Sequence, residues 1–343
     1  MYSGDHAHAP RRYPCPDAVS VRLLRSTASD RIMSAMKHLF GPVASRRLGR
    51  SLGVDVIPFK TCSLDCIYCE CGHTTRCVAA RAEYVPTQDI SAELTAWLDA
   101  GNAADVITFA GSGEPTLHSG LGALIRLIKQ RTTIPVCVLT NGTMLWRDDV
   151  RGDLLPADIV VPTLSAPTRE LFQQLHRPCQ QLRYEEYRAG LRDFAREYRG
   201  QLWLEVFLVP GINDDDATVR ALAAQAAELR PAKVQLNTAV RPAADADVAP
   251  LTNAALRRLA AFFTPPAEVV GAQPDGVAEH TTVDDAVVLA MLRRRPCTLA
   301  DLAAGLGMSS SAAAYRIHVL EKSGVITVTE RGGEAYYSAA PEA

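Results

Sequence analysis

Long apolar runs are missing from this 343-residue chain: none reaches the roughly 18 residues a membrane-spanning helix needs. No apolar stretch follows the start either, so a secretory signal is not expected. The chain also lacks an excess of either charge. Thirty-six basic residues against 38 acidic ones leave a net charge of −2, so the whole chain is no polycation that binds nucleic acid by charge alone. Lysine is scarce, at five residues, and arginine carries most of the positive charge. What is present is a globular composition, 48% hydrophobic and 22% charged, at a length that suggests about two domains. A chain this long buries enough surface to need no disulfide staples. Its nine cysteines, with no secretion signal, point to reduced thiols in the cytoplasm, engaged in metal binding or catalysis before disulfides.

Residues 1–35 mix His, Pro, Arg and Ser without a sustained period. They read as a disordered extension, or as a leader before a true start near Met33 or Met36. From Val54 onward, short β-branched runs at 54–59, 106–110, 136–140, 159–162, 202–209 and 234–237 alternate with helical stretches. The stretches 90–98, 121–129, 184–198 and 217–229 carry that helical pattern. Apolar runs of this length spaced by helices indicate parallel strands with βα crossovers. Six units fit a partial (β/α)6 TIM-type barrel over residues 36–245, whose ligands bind at the carboxyl ends of the strands.

Residues 246–280 read as one helix near 251–263 and a Pro-rich linker. The remainder, 281–343, has its own pattern. A helix over 283–294 stops at Pro296, and Thr298 with Asp301 has capping-box spacing for a second helix that Gly305 and Gly307 close. Ser309 caps a third helix through Lys322, and Gly332-Gly333 turns a hairpin. That order is a winged helix-turn-helix. Its six basic and seven acidic residues give poor electrostatics for phosphate contact. A docking platform or a lid for the barrel is therefore preferred over DNA binding.

After the first strand comes Lys60-Thr-Cys-Ser-Leu-Asp-Cys-Ile-Tyr-Cys-Glu70, with Cys62, Cys66 and Cys69 at C-x3-C-x2-C. Three thiolates crowded into eight residues repel one another unless a cation takes them, so a metal is expected. Two occupants fit the spacing. Structural zinc would recruit Cys71 or Cys77 as a fourth ligand. An iron-sulfur cube on three thiolates would keep its fourth iron open to an exchangeable ligand.

Here the sequence resembles the radical S-adenosylmethionine (radical SAM) superfamily, whose signature is this spacing with an aromatic residue, here Tyr68, before the last cysteine. Gly111-Ser112-Gly113-Glu114, about 40 residues later at a strand end, resembles the superfamily's Gly-Gly-Glu segment. Thr140-Asn141-Gly142, Thr163 and Ser165 after the fourth strand, Pro210-Gly-Ile-Asn-Asp and Asn237 with Arg241 fall on the same rim. The resemblance implies a 4Fe-4S cluster on Cys62, Cys66 and Cys69. It implies S-adenosylmethionine contacts at Gly111, Ser112, Gly113, Glu114, Thr140, Asn141, Thr163, Ser165 and Asn237. It also implies reductive cleavage to methionine and a 5′-deoxyadenosyl radical that abstracts hydrogen from a substrate.

The run Phe40 to Gly53 and His176-Arg177-Pro178 resemble a branch grouped with wyosine-type tRNA-modifying radical SAM enzymes. Implied partners are an electron donor such as flavodoxin or ferredoxin and a substrate that is a tRNA base, a peptide or protein, or a small metabolite. Arg46, Arg47 and Arg50 suit an anionic substrate or cofactor carboxylate, or equally a solvated basic turn. From another class stands a metal- or redox-sensing regulator that binds DNA through its winged helix. Cys137 reads as core, and Cys15, Cys179 and Cys297 have no partner by spacing. Tyr84, His73, His118 and Glu205 carry no catalytic assignment.

Overall fold

The computed structural model describes residues 36–45, 47–270, 283–308 and 310–340. The expectations for 1–35, Cys15, Arg46, Ser309 and the Pro-rich part of the linker lie outside the described residues. Among the described residues no helix is long and apolar enough to cross a membrane.

The frame is an eight-stranded open sheet. It contains β1 (Leu39–Ser45), β2 (Gly49–Val54), β5 (Val106–Phe109), β6 (Val136–Thr140), β7 (Ile159–Pro162), β8 (Gln201–Phe207), β9 (Lys233–Asn237) and β10 (Glu268–Val269), in that spatial order. From β2 to β10 every pairing is parallel, and β1 is antiparallel to β2. Connections run through α1 (Thr87–Asp99), α2 (Leu121–Arg131), α3 (Asp148–Leu154), α4 (Arg169–His176), α5 (Tyr184–Glu197) and α6 (Asp216–Leu229). The short pair β3 (Thr61–Cys62) and β4 (Arg76–Cys77) forms a separate ribbon. This is the partial barrel, with six parallel strands followed by the short β10.

Two elements differ from the sequence reading. The first parallel strand ends at Val54 rather than beginning there. Pro58 has no N–H for a ladder and Lys60 sits at φ 60°, so residues 55–60 turn out of the sheet toward the cysteine loop. The second difference is β1, which Gly41-Pro42 hides in the sequence; in the fold its residues alternate buried and half-buried, with a register shift between Phe40 and Val43.

The C-terminal module is a winged helix built from α8 (Asp285–Leu292), α9 (Leu299–Leu306), α10 (Ser310–Lys322) and the hairpin β11 (Ile326–Arg331) with β12 (Glu334–Ala339). The expected capping box opens α9: Thr298 Oγ1 accepts from Asp301 N at 3.0 Å, and Asp301 Oδ2 accepts from Thr298 N at 3.1 Å. Gly307, at φ 64°, closes it. A linking helix, α7 (Asn253–Ala260), precedes this module.

The module packs against the barrel. Val43 of β1 is buried in the winged helix's own core with Met291, Leu302 and Ile317. On the far side Tyr336 Oη donates to Val240 O at 3.2 Å, and Arg331 reaches the carbonyls of Arg241 and Val248, just past β9. The winged helix thus bridges the open side of the barrel, from the β1 edge to the β9 mouth.

Candidate functional site

The cysteine loop is pinned at several points by its own backbone. Asp65 N and Ile67 N donate to His176 O and Leu175 O at 2.9 and 3.0 Å. Val78 N donates to Cys62 O at 2.9 Å, and Asp65 Oδ1 accepts from Thr74 N at 2.7 Å. These bonds hold Cys62, Cys66 and Cys69 half-buried at the carboxyl end of β2. Burial pushes the Cys62 thiol up to about 12, and the charge of Glu114 adds to that. Cys66 is raised well above the usual thiol range by burial, then by Cys62 and Cys69. Cys69 goes the other way, down to about 7, because it accepts from the Cys71 thiol and feels the Lys60 ammonium.

The buried atoms Lys60 Nζ and His176 Nε2 at this loop have no hydrogen-bond partner among the described residues. Lys60 is 7% exposed, and burial lowers its pKa while Cys69, Cys71, Asp65 and Cys62 pull it back up. His176 lies under the loop, with Nδ1 at 3.3 Å from Cys66 Sγ and 3.1 Å from Tyr68 Oη. Burial brings its pKa down to about 3, so the ring is neutral. An isolated buried ammonium is costly, and thiolates on Cys62, Cys66 and Cys69 would be its matching charge once a metal takes them. The donor chemistry therefore fits a sulfur-ligated cationic cluster.

The Gly-Ser-Gly-Glu segment wraps the same loop. Gly113 lies so close to it that a Cβ would stand 1.8 Å from Thr61 O. Gly111 has φ 151°, and a Cβ there would meet Asp55 Cγ at 2.5 Å. Ser112 donates to Asp55 Oδ2 from both N and Oγ, at 3.1 and 2.6 Å. Glu114 is buried and accepts from Thr116 N at 3.0 Å, Thr116 Oγ1 at 2.5 Å, Thr140 Oγ1 at 2.6 Å and Asn141 N at 2.7 Å. Its carboxylate therefore knits two strand ends together, and Asn141 Nδ2 extends the network to Ser63 Oγ at 2.9 Å and Cys62 Sγ at 3.6 Å. Gly113→Ala should lower stability by about 1–3 kcal/mol by overpacking against a backbone atom. Denaturant unfolding of the variant checks this, and an unchanged midpoint contradicts the close approach.

Deeper in the barrel, Glu205 collects Arg47, Asn237 and Thr163. Arg47 pairs with it directly, Asn237 Nδ2 donates at 3.1 Å, and Thr163 Oγ1 donates at 3.2 Å. Burial works against this carboxylate's charge, but those partners hold its pKa below the ordinary value. Ser165 is fully buried, and its Oγ accepts from Phe207 N at 2.7 Å. Asn213 ties the β8 turn by donating to the carbonyls of Ser165 and Phe207 at 2.9 Å. Both therefore stabilise the turn. Arg50 lies away from this group, its N bonded to Asp105 Oδ2 at 2.7 Å. Arg241 is 3% exposed and joins Glu70 of the cysteine loop, at 2.9 Å, to Asp301 of α9, at 2.8 Å.

The free-thiol expectation needs correction for one pair. Cys77 and Cys179 form a disulfide across 102 residues, with Cα atoms 5.8 Å apart. Cys77 is thereby removed from any metal set. Cys137 and Cys297 are buried core residues. His118 is satisfied locally, with Nε2 at 2.7 Å from Val85 O and Nδ1 accepting from Gly120 N. Among the described residues no three His, Cys, Asp or Glu side chains are grouped to hold one metal ion. Lys60 and Asp55 are buried polar residues beside the cysteine loop and the Gly-Ser-Gly-Glu segment to which the sequence reading gave no role. Asp55 interrupts the apolar run from Leu52 to Ile57, which is the signal that marked it.

Comparison with known proteins gives consistent results. The radical SAM superfamily model matches residues 56–222, and a helix-turn-helix domain model matches 286–329. A UPF0026 protein of Methanocaldococcus jannaschii is 32% identical over 238 residues, which are 69% of this chain and 73% of that protein. A Brachyspira hyodysenteriae protein described as GTPase Obg is 36% identical over 296 residues, 84% of this chain. The chain spans 43% of that protein's length. It contains no Gly-Lys pair and hence no G-x4-G-K-[ST] phosphate loop. Among solved structures, Streptococcus suis SuiB bound to precursor peptide SuiA matches with a TM-score of 0.50 at 15% identity. That match covers 64% of this chain and 48% of SuiB, and it bears on the fold alone.

Proposed function

This chain belongs to the UPF0026 family within the radical SAM superfamily, and on that premise we propose that Cys62, Cys66 and Cys69 hold its cluster for radical chemistry on a substrate. It is an enzyme of the radical SAM type, and its cofactors are a 4Fe-4S cluster and S-adenosylmethionine. When bound, these supply one-electron cleavage of the sulfonium and a 5′-deoxyadenosyl radical for hydrogen abstraction. The observation that carries the site assignment is the half-buried thiol triad at the end of β2, with an unpartnered ammonium beside it. Cys62, Cys66 and Cys69 would hold such a cluster without converging on one ion, as the described residues show them.

The remaining assignments rest on the resemblance, and the positions of the residues support them. Gly111, Ser112 and Gly113 offer backbone against the loop, and Thr140 and Asn141 fix the adjoining strand end to Cys62. Thr163 and Asn237 line the barrel beside Glu205. Glu114 and Ser165 are kept as cofactor-site residues whose side chains position the strand ends. The chain's own work is to bind, orient and exclude water. Residues 36–245 are assigned to the barrel, 246–280 to the linker and 281–343 to the winged helix. The proposed setting is the cytoplasm, with flavodoxin or ferredoxin as electron donor and a tRNA base, a peptide or protein, or a small metabolite as substrate. The DNA-binding regulator is not favoured: Arg316 of α10 is spent on Asp285 at 2.8 Å, leaving little positive charge for a groove.

Two measurements test this assignment. Anaerobic reconstitution should give about four irons and four sulfides per chain, and adding S-adenosylmethionine should change the electron paramagnetic resonance spectrum of the reduced cluster. A spectrum indifferent to S-adenosylmethionine contradicts the open iron. Lys60→Met should shift the cluster's reduction potential to a more negative value, since net charge sets that potential. Lys60→Arg should stay close to the unaltered protein. Equal potentials in all three would show that the ammonium does not face the cluster.

A further inference from the structure

Beside the cysteine loop lies a cavity of about 270 Å3 whose walls come from both halves of the chain. Val43, Leu48, Leu139 and Met291 make its apolar part. Gly111 and Cys71 border it, and of the nine residues assigned to S-adenosylmethionine only Gly111 does. The cavity therefore adjoins the cofactor strip without coinciding with it. Its outer wall is the end of α8 and the residues that follow, carrying Met291, Arg294 and Arg295. The open side of the barrel is closed there by the winged helix, not by a strand.

Three arginines around the cavity, Arg241, Arg294 and Arg295, stand against three carboxylates, Glu70, Asp301 and Asp55, but they are unevenly paired. Arg241 is matched by Glu70 and Asp301. Arg294 sits 3.4 Å from Asp55 and stacks at 4.3 Å over the Phe40 ring. The half-buried side chain of Arg295 makes no hydrogen bond or ion pair through its guanidinium among the described residues, and Asp301, which feels its charge, is already held by Arg241. A planar fork of donors left unengaged on a cavity wall suits a carboxylate or phosphate. The volume holds about nine waters at roughly 30 Å3 each. That is room for a small molecule.

We propose that the winged helix is the wall of the reaction chamber and that Arg295 binds the oxyanion of a small amphipathic substrate, its apolar part lying against Leu48, Leu139 and Met291. This rests on the radical SAM reading of the neighbouring loop and names its substrate class. A carboxylate reaching Arg295 has two sources, a separate substrate or S-adenosylmethionine itself, and the test separates them.

The cluster-loaded protein is treated with phenylglyoxal, an arginine reagent, with and without inorganic phosphate, and modified positions are mapped by mass spectrometry. Phosphate should protect Arg295. Binding of S-adenosylmethionine should be the same in Arg295→Ala as in the unaltered chain. A small-molecule filtrate of cell extract should stimulate 5′-deoxyadenosine formation by the unaltered chain, with the response reduced about tenfold to a hundredfold in Arg295→Ala, the worth of a charged hydrogen bond. Arg295→Lys should recover part of the response.

Three results overturn the proposal: no phosphate protection of Arg295, loss of S-adenosylmethionine affinity in Arg295→Ala, or stimulation confined to the tRNA or protein fraction. Phosphate protection can also be read on cluster-free protein. A failure of the cluster reading would therefore show separately, as absent iron or absent S-adenosylmethionine binding in the unaltered chain.

Discussion

Replacing Cys62, Cys66 or Cys69 singly with alanine will bring bound iron and 5′-deoxyadenosine release down to background, a loss of at least about a hundredfold. The expectation is this large because a cube on three thiolates has no spare protein ligand, and metal–thiolate bonding contributes on the order of 10 kcal/mol at such sites. Cys71→Ala, Cys77→Ser and Cys179→Ser should each retain the cluster. Cys77 and Cys179 are joined to each other, and the C-x3-C-x2-C set does not require Cys71, whose thiol neighbours Cys69. Iron and sulfide analysis of the six variants decides the matter. Loss of iron in Cys71→Ala would indicate a fourth thiolate ligand and would close the iron vertex that the proposed chemistry keeps open.

Arg241→Met will destabilise the chain by about 3–5 kcal/mol, because it removes the counter-charge from two carboxylates held largely away from water. Arg241 is 3% exposed on its side chain, with Glu70 at 16% and Asp301 at 17%. Burial alone opposes the charged form of Asp301, and Arg241 is the main influence that keeps its pKa below the ordinary carboxylate value. In Arg241→Met that support is gone. Arg177→Met is the matched control, since its pair with Asp245 is far more exposed, and its cost should be no more than about 1 kcal/mol. Denaturant unfolding compares the two. The same variant should make the linker before α8 cleave faster under limited proteolysis, because Asp301 is one of the contacts that dock the winged helix. Equal stability losses in the two variants would mean that this junction is not a buried ionic link.

The local features of the chain were the legible ones. Cys62, Cys66 and Cys69 announce themselves by spacing within one loop, and the α9 capping box is a four-residue pattern. The six βα units are visible because buried parallel strands read as short β-branched runs. What the sequence hides is what depends on distant partners. Asp55 meets Arg294 only after the winged helix folds back over β1, and the Cys77–Cys179 pair spans 102 residues. The first strand was displaced because Val54-Asp-Val-Ile-Pro-Phe59 has strand-like composition, while the true strand begins with exposed Gly49 and Arg50. Ser165 shows a further difficulty: a hydroxyl at a strand end looks available to a ribose, yet its bond to Phe207 N is invisible without the fold. The role of the winged helix was open between platform, lid and DNA reader, and the contacts with Val240, Arg241 and Val248 place it against the barrel.

The most direct test is chromatography of the anaerobically reconstituted chain after incubation with dithionite and S-adenosylmethionine. A cluster on Cys62, Cys66 and Cys69 with an open iron should release 5′-deoxyadenosine and methionine in equal amounts, without any added substrate being required for a detectable level. Fully iron-loaded protein that releases none, even with cell extract added, would contradict the proposed chemistry.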